Sequence, residues 1–389
     1  MSKLEKLIAE YCPDGVEYKK LSDIATITRG GSLQKKDFCE NGVPCIHYGQ
    51  IYTRFGLFTD RALTFVSEGV AERQKKAKHG DIVMAVTSEN VEDVCKCVVW
   101  FGEKDAAVSG HTAIISSTQD SKYLAYYFHS SMFFAQKKKL AHGTKVIEVT
   151  PDKLNDVTIP IPPLPVQREI VRILDNFTEL TAELTAELTA RKKQYEYYRE
   201  MLLSSNDVEW LTLPQISVNC DRQRKPVTKG KRKAGIYPYY GASGIVDYVA
   251  DYLFDGDYLL ISEDGANLLA RSTPIAFSIS GKNWVNNHAH VLKFEVPAMR
   301  RYVEMYLNSI DLSKFVSGGA QPKLNQDNLN KIPIPIPKPE KVKKIVEVLT
   351  KFDTICTDIQ SGLPAEIEAR QKQYEYYRDK LLTFRVKAE

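Results

Sequence analysis

The sequence predicts an α/β (α+β) protein: two small globular domains in a pseudo-twofold arrangement, separated by two long antiparallel helices that pair like a coiled coil. Three internal repeats carry this prediction. RKKQYEYYREMLL over 191–203 recurs as RQKQYEYYRDKLL over 370–382. DKLNDVTIPIP over 152–162 recurs as DNLNKIPIPIP over 327–337. VEYKKL over 16–21 recurs, more loosely, as VEWLTL over 208–213. Repetition at this level means one structural plan used twice. A chain of 389 residues is too long for one ordinary core and suits two domains with connecting elements. The expected blocks are a first domain over 1–158 with a short N-terminal helix, a shared helical spacer over 159–206, a second domain over 207–333, and a second spacer over 334–389.

In the first block, 81–86 and 112–115 read as buried strands and 122–140 as a helix. In the second, 258–262 and 289–294 read as strands and 298–309 as a helix. Between each domain and its spacer the Ile-Pro alternation cannot be helical, because proline removes a donor and pushes the residue before it toward extended geometry. After Pro165 the next proline is Pro214. The interval from Gln167 to Ser204 is rich in Glu, Leu, Ala, Arg and Lys, all good helix formers. Ile170, Leu174, Phe177, Leu180, Leu184, Leu188, Tyr195, Tyr198 and Leu202 form an apolar stripe with helical spacing. About 38 residues of helix span roughly 57 Å, and a helix that long needs a partner. The partner is the second copy, 340–382, which Gly362 and Pro364 should break. Within the first helix the unit TAEL over 181–184 is repeated over 185–188. One such unit turns the helix by about 400° and lengthens it by about 6 Å, so the segment reads as a ruler.

The formal charge of +4 and pI near 8.4 permit nucleic-acid binding without demonstrating it. Local clusters say more. Arg222, Arg224, Lys225, Lys229, Lys231, Arg232 and Lys233 are close in sequence, as are Lys137, Lys138, Lys139 and Lys145, and Arg73, Lys75, Lys76 and Lys78. Three clusters over both halves favour phosphate contacts, although a solvated loop would look the same. The seven cysteines include no CxxC pair, so they read as reduced and mostly buried, with no metal site. No signal peptide or membrane span is legible, and a cytoplasmic location is expected. Catalytic motifs are missing: no GxxxxGK phosphate loop, no Asn-Pro-Pro-aromatic motif for holding a flipped adenine, no FxGxG-type cofactor loop and no carboxylate–lysine nuclease triad. Asn286 to His290 could pass for a metal-nuclease fragment, but a hydrogen-bonding loop beside a strand reads as well. No catalytic residue and no metal ligand is expected.

The alternation of two divergent domains with Ile-Pro lead-ins and repeated helices resembles the specificity subunit of type I restriction–modification systems. The tandem TAEL units and the paired QYEYYR segments look like the IC branch. YPYYGASG over 237–244, ISEDGAN over 261–267 and WVNNHAH over 284–290 resemble motifs of target-recognition domains, as do GGSLQKKD over 30–37 and VPCIHYGQI over 43–51. The resemblance implies that each domain reads one half of a split double-stranded DNA site and that the helices fix an unread gap between halves. It also implies that two modification subunits dock on the helices and methylate adenine with S-adenosylmethionine. Restriction subunits then use ATP and Mg to translocate and cut. None of these cofactors is expected on this chain, and no membrane partner is expected. Base reading needs amide, hydroxyl or fork-shaped side chains on loops. The candidates are Tyr48, Gln50, Arg54, Ser88, Asn90 and Lys145 in the first domain. In the second they are Tyr239, Ser243, Asn267, Asn286, Asn287, Gln321 and Lys323, with Arg224, Lys229 and Arg232 as phosphate contacts. A self-sufficient methyltransferase or nuclease and a two-domain protein-binding scaffold are the alternatives.

Overall fold

The computed structural model describes residues 2–204, 207–318, 321–358 and 360–387. Residues 206 and 389, which close two of the expected blocks, lie outside these. The chain forms two compact units, one of Met1–Leu184 with Ile367–Glu389 and one of Thr185–Glu366. Each unit is therefore built from parts of both helical repeats.

In the first unit a five-stranded sheet runs Ala25–Arg29, Thr112–Ser117, Ile82–Ala85, Cys97–Trp100, Phe58–Thr59. Its first four strands are antiparallel neighbours and the last pair is parallel. In the second unit a four-stranded antiparallel sheet runs Val218–Asn219, Ala289–Lys293, Tyr258–Ser262, Ala276–Ile279. The order and sense of the first four strands are the same in both. A second sheet in each unit contains another equivalent parallel pair, Val43–Ile46 with Ala106–Val108 and Ala234–Gly241 with Lys282–Val285. The strands expected at 81–86, 112–115, 258–262 and 289–294 are present within a residue or two. The helix expected over 122–140 is two, Ser121–Phe128 and Ser131–Leu140. The Ser130 hydroxyl caps the second by accepting the Phe133 N–H, and a serine there competes with helix continuation.

The weak repeat and the Ile-Pro repeat meet each other. Tyr18–Lys20 pairs antiparallel with Thr158–Pro160, and Glu209–Thr212 pairs with Pro333–Ile336. Proline is tolerated because each is a two-stranded ribbon with free edges. Tyrosines fasten both ribbons: Tyr123 donates to the Pro160 carbonyl at 2.8 Å, and Tyr302 donates to that of Pro335 at 2.6 Å.

The central helix runs Leu164–Leu203. The second repeat is broken as expected, into Pro339–Thr357 and Leu363–Leu381. The start of the central helix buries Val166, Ile170, Val171 and Leu174 in the first unit's core, joined by Leu382. Its end buries Leu203 in the second unit's core with Val342, Ile345 and Leu349. Repeat-equivalent aromatic pairs sit in each unit. Phe177 stacks on Tyr377 with centroids 5.6 Å apart, and Phe352 stacks on Tyr198 at 5.6 Å. Between Asp175 and Leu202 no residue of the central helix is fully buried. Six cysteines are buried, Cys39 is exposed, and all seven are free thiols. No helix among the described residues is long and apolar enough to cross a membrane.

Candidate nucleic-acid interface

In the second unit three loops line a cleft of about 410 Å³ with Ser243, Asp264, Asn267, Asn286 and His288 among others, and a fourth is tied to one of them. The hairpin turn between Ala234–Gly241 and Gly244–Val249 supplies Ser243. The segment after Tyr258–Ser262 supplies Asp264 and Asn267, and the turn before Ala289–Lys293 supplies Asn286 to His288. The fourth loop, closed by a bridge between Ser317 and Lys323, is tied to the second through Asp264 and Lys323. Gly318 takes φ +84° there, and a Cβ would lie 2.5 Å from the Gln321 carbonyl oxygen, so the turn requires glycine. The structure thus brings Ser243, Asn267 and Asn286 to one cleft, with Asn287 on the same turn as Asn286 and Gln321 and Lys323 on the loop tied to Asp264. Ser243, Asn287 and Gln321 are exposed. Asn267 is occupied in part: its amide donates to the Thr273 carbonyl and accepts from the Ser272 hydroxyl and the Thr273 N–H. Asn286 is buried, and its side-chain oxygen accepts the His288 N–H at 2.8 Å.

Beneath this cleft lies a chain of charges. Arg224 donates to Glu263 at 2.6 Å and to the Ala289 carbonyl at 2.8 Å, and it pairs with Asp221 at 3.2 Å. Glu263 also pairs with Lys323 at 3.2 Å. Asp221 faces His290 Nδ1 at 2.6 Å and accepts the Val291 N–H. Burial works to raise the pKa of both carboxyls. For Asp221 the bonds and charge of His290, the Val291 N–H and Arg224 outweigh it, and for Glu263 those of Arg224, His290 and Lys323 do, so both stay below their ordinary values.

Several candidates are corrected by this packing. Arg224 is committed to internal carboxylates rather than free for phosphate, because both partners are largely buried and its guanidinium bridges them. Tyr239 is buried, with its hydroxyl accepting the Val227 N–H and its ring stacked on Trp284 and under Arg232, so it is part of the core. Arg232 is spent on Tyr239, the Val227 carbonyl and Asp247. These two lie away from the cleft, while Lys229 is exposed. In the first unit Lys137, one of the clustered lysines, is buried and donates to the carbonyls of Glu92 and Val94.

The first unit has an equivalent set of loops. The one over 142–148 is closed by a bridge between His142 and Glu148, matching that of 317–323, and Gly143 with φ +108° matches Gly318. Lys145 is exposed on this loop. Ser88 pairs with Ile147 across the strand beside it. Tyr48 lies against His111 with centroids 4.9 Å apart, and its N–H donates to the Ser109 hydroxyl. Gln50 is a capping residue: its oxygen accepts the His47 N–H and its amide donates to the Thr64 hydroxyl. Asn90 likewise caps its own turn through Asp93. Arg54 is exposed at the end of the short helix Tyr48–Thr53, beside His47 and Lys35 in another cleft. Sequence reasoning missed His111 and Asp264 and did not single out His288. The signal was a valine three places before each histidine, in VSGH over 108–111 and VNNH over 285–288.

Comparison with known proteins gives a consistent result. The family described as "Type I restriction modification DNA specificity domain" matches residues 13–191 and 209–369, most of the chain. The EcoprrI type I restriction enzyme specificity subunit of Escherichia coli is 30% identical over 380 residues, 92% of this chain and 92% of that one. A putative type I restriction enzyme specificity subunit of Haemophilus influenzae is 37% identical over 194 residues, 49% of this chain and 50% of that one. Among solved structures, the type I restriction–modification S subunit of M. genitalium superposes with a TM-score of 0.56 at 16% identity, covering 95% of this chain and 96% of that one. That likeness is one of fold.

Proposed function

The chain belongs to the type I restriction–modification DNA specificity family, and from that premise we propose that it is the DNA-reading subunit of a three-component enzyme. Each globular unit reads one half of a bipartite double-stranded site, and the helices set the length of the unread gap. Two modification subunits dock on the helical repeats and methylate adenine with S-adenosylmethionine. Restriction subunits, using ATP and Mg, complete the cutting assembly. This chain contributes recognition and no catalytic group, and it acts in the cytoplasm.

One observation carries the reading: two units share their framework down to individual hydrogen bonds, yet present different side chains on the loops that converge at one end. Shared frames with divergent loops suit two related readings of different sequences, because loops carry specificity on a rigid scaffold. Phosphate-facing cations such as Lys145 and Lys229 set register, and amides such as Asn287 and Gln321 read base edges. The test is binding by the chain assembled with its modification subunit. A split duplex identified by methylome sequencing should bind at least 10³ more tightly than random duplex at physiological salt. Equal binding to both overturns the proposal.

A further inference from the structure

Each unit holds a histidine at the same point of its fold. His111 immediately precedes the strand Thr112–Ser117, and His288 immediately precedes Ala289–Lys293. Their carbonyls accept equivalent bonds, from the Val86 N–H at 2.9 Å and the Glu263 N–H at 2.9 Å. Two residues earlier, the Ser109 N–H reaches the Ile46 carbonyl and the Asn286 N–H reaches that of Tyr240. In each ring Nδ1 faces an oxygen one residue beyond the bonded strand partner. For His111 it is the Thr87 hydroxyl at 3.1 Å, and for His288 it is the Asp264 carboxylate at 2.8 Å. Both histidines are exposed, and Nε2 of neither has a partner among the described residues.

A histidine kept only to hold its loop would bury its ring, as His290 does with Nδ1 on Asp221 and Nε2 on the Leu324 carbonyl. These two rings are instead braced at one nitrogen and open at the other. Their neighbours differ: Tyr48, Ser109 and Gly110 around His111, against Ala242, Asn286 and Asn287 around His288. A residue common to two differently surfaced domains cannot carry the difference between two target sequences. It can perform the part of binding that is the same on any duplex, which is contact with the phosphate backbone.

We propose that His111 and His288 are matched phosphate contacts, one per domain, each donating through Nε2–H to a backbone oxygen and fixing the register from which the divergent loops read. The inference rests on the DNA-reading function, and its test separates the two. Binding of the assembled complex to cognate and random duplexes is measured against salt near pH 6. His111→Ala and His288→Ala should weaken both duplexes by the same factor, leaving their ratio unchanged. The slope of log affinity against log salt should become shallower by about 0.9 per histidine removed. His288→Lys, which keeps a cation at the position, should restore the slope. A collapse of the cognate-to-random ratio would mean base reading and overturn the proposal, as would unchanged affinity and slope. Failure of the unsubstituted complex to prefer any duplex would instead overturn the DNA-reading function.

Discussion

At Arg224 two carboxylates compete with any phosphate for one guanidinium, and the geometry decides in their favour. Arg224→Ala leaves Asp221 with His290 and Glu263 with Lys323 but removes the guanidinium between them, which costs about 1.5–3 kcal/mol and should lower the melting temperature of the second unit in calorimetry. A variant that melts like the parent but binds DNA less tightly would return Arg224 to the interface. Acid acts on the first unit through a different residue. His129 keeps a sliver of surface, but protein crowds its ring, and Nδ1–H donates to the Ala125 carbonyl at 2.8 Å. Burial first, with Arg378 and Lys137 nearby, pushes its pKa down to about 4, against the carbonyl bond that raises it. The unfolded chain takes up a proton near pH 6.5, so this contribution is complete above that pH and declines as pH falls toward 4, by about 3 kcal/mol. His129→Gln should flatten the fall in melting temperature between pH 7 and 4.5; an equally steep fall would exclude the residue. Gln321 remains the clearest base-reading candidate, exposed and held at a glycine turn. Gln321→Ala should weaken the cognate half-site more than random DNA in a filter-binding assay, and equal losses would reject it. What hid the unsuitable candidates was burial: nothing local distinguishes core Tyr239 from an exposed loop tyrosine, whereas the caps made by Gln50 and Asn90 follow from partners three residues away.

The central helix is the element whose length matters most. The tandem units over 181–188 lie where none of its residues is fully buried, and the division between the compact units falls between Leu184 and Thr185, at the junction of the two repeats. Both hydrophobic cores take hold of the helix elsewhere, up to Leu174 and from Tyr195 onward. An inserted TAEL unit therefore costs neither core a contact, and it adds about 6 Å at 1.5 Å per residue. With ~3.4 Å per base pair, the tolerated gap between half-sites should grow by about one or two pairs. Methylome sequencing of a strain carrying the insertion measures this, and an unchanged gap would refute the ruler. The helices and their break between Thr357 and Leu363 were legible because periodicity, proline and glycine act locally. The joining of 16–21 to the Ile-Pro segment as a two-stranded ribbon was not, because strand partners lie more than a hundred residues apart and nothing in either segment names the other.

Across the whole molecule, the longest repeat is kept on its outer face as well as its inner one. Tyr195 and Tyr374 pack toward the cores, and each carries an arginine over its ring, Arg199 at 5.4 Å and Arg378 at 5.5 Å. Tyr198 and Tyr377 stack on Phe352 and Phe177. Packing explains these four. It does not explain Tyr197 and Tyr376, which are 64% and 61% exposed at equivalent positions. Each is edge-on to the next tyrosine, and Lys380 also lies over the Tyr376 ring at 5.8 Å. An exposed aromatic costs solubility and returns nothing to the fold, and aromatic residues are enriched where proteins dock. Presented twice at equivalent positions of the repeat, the side chain suits a partner that binds twice, as the modification subunit is proposed to do. Tyr197→Ala or Tyr376→Ala should leave the melting temperature within the range of ordinary surface changes, about 0.5 kcal/mol. Each should weaken one of the two docking events, so that native mass spectrometry shows a complex with one modification subunit in place of two. The double variant should lose both while the chain stays folded. Two subunits retained on the double variant would place the docking surface elsewhere and leave the repeated pair of tyrosines without a role in assembly.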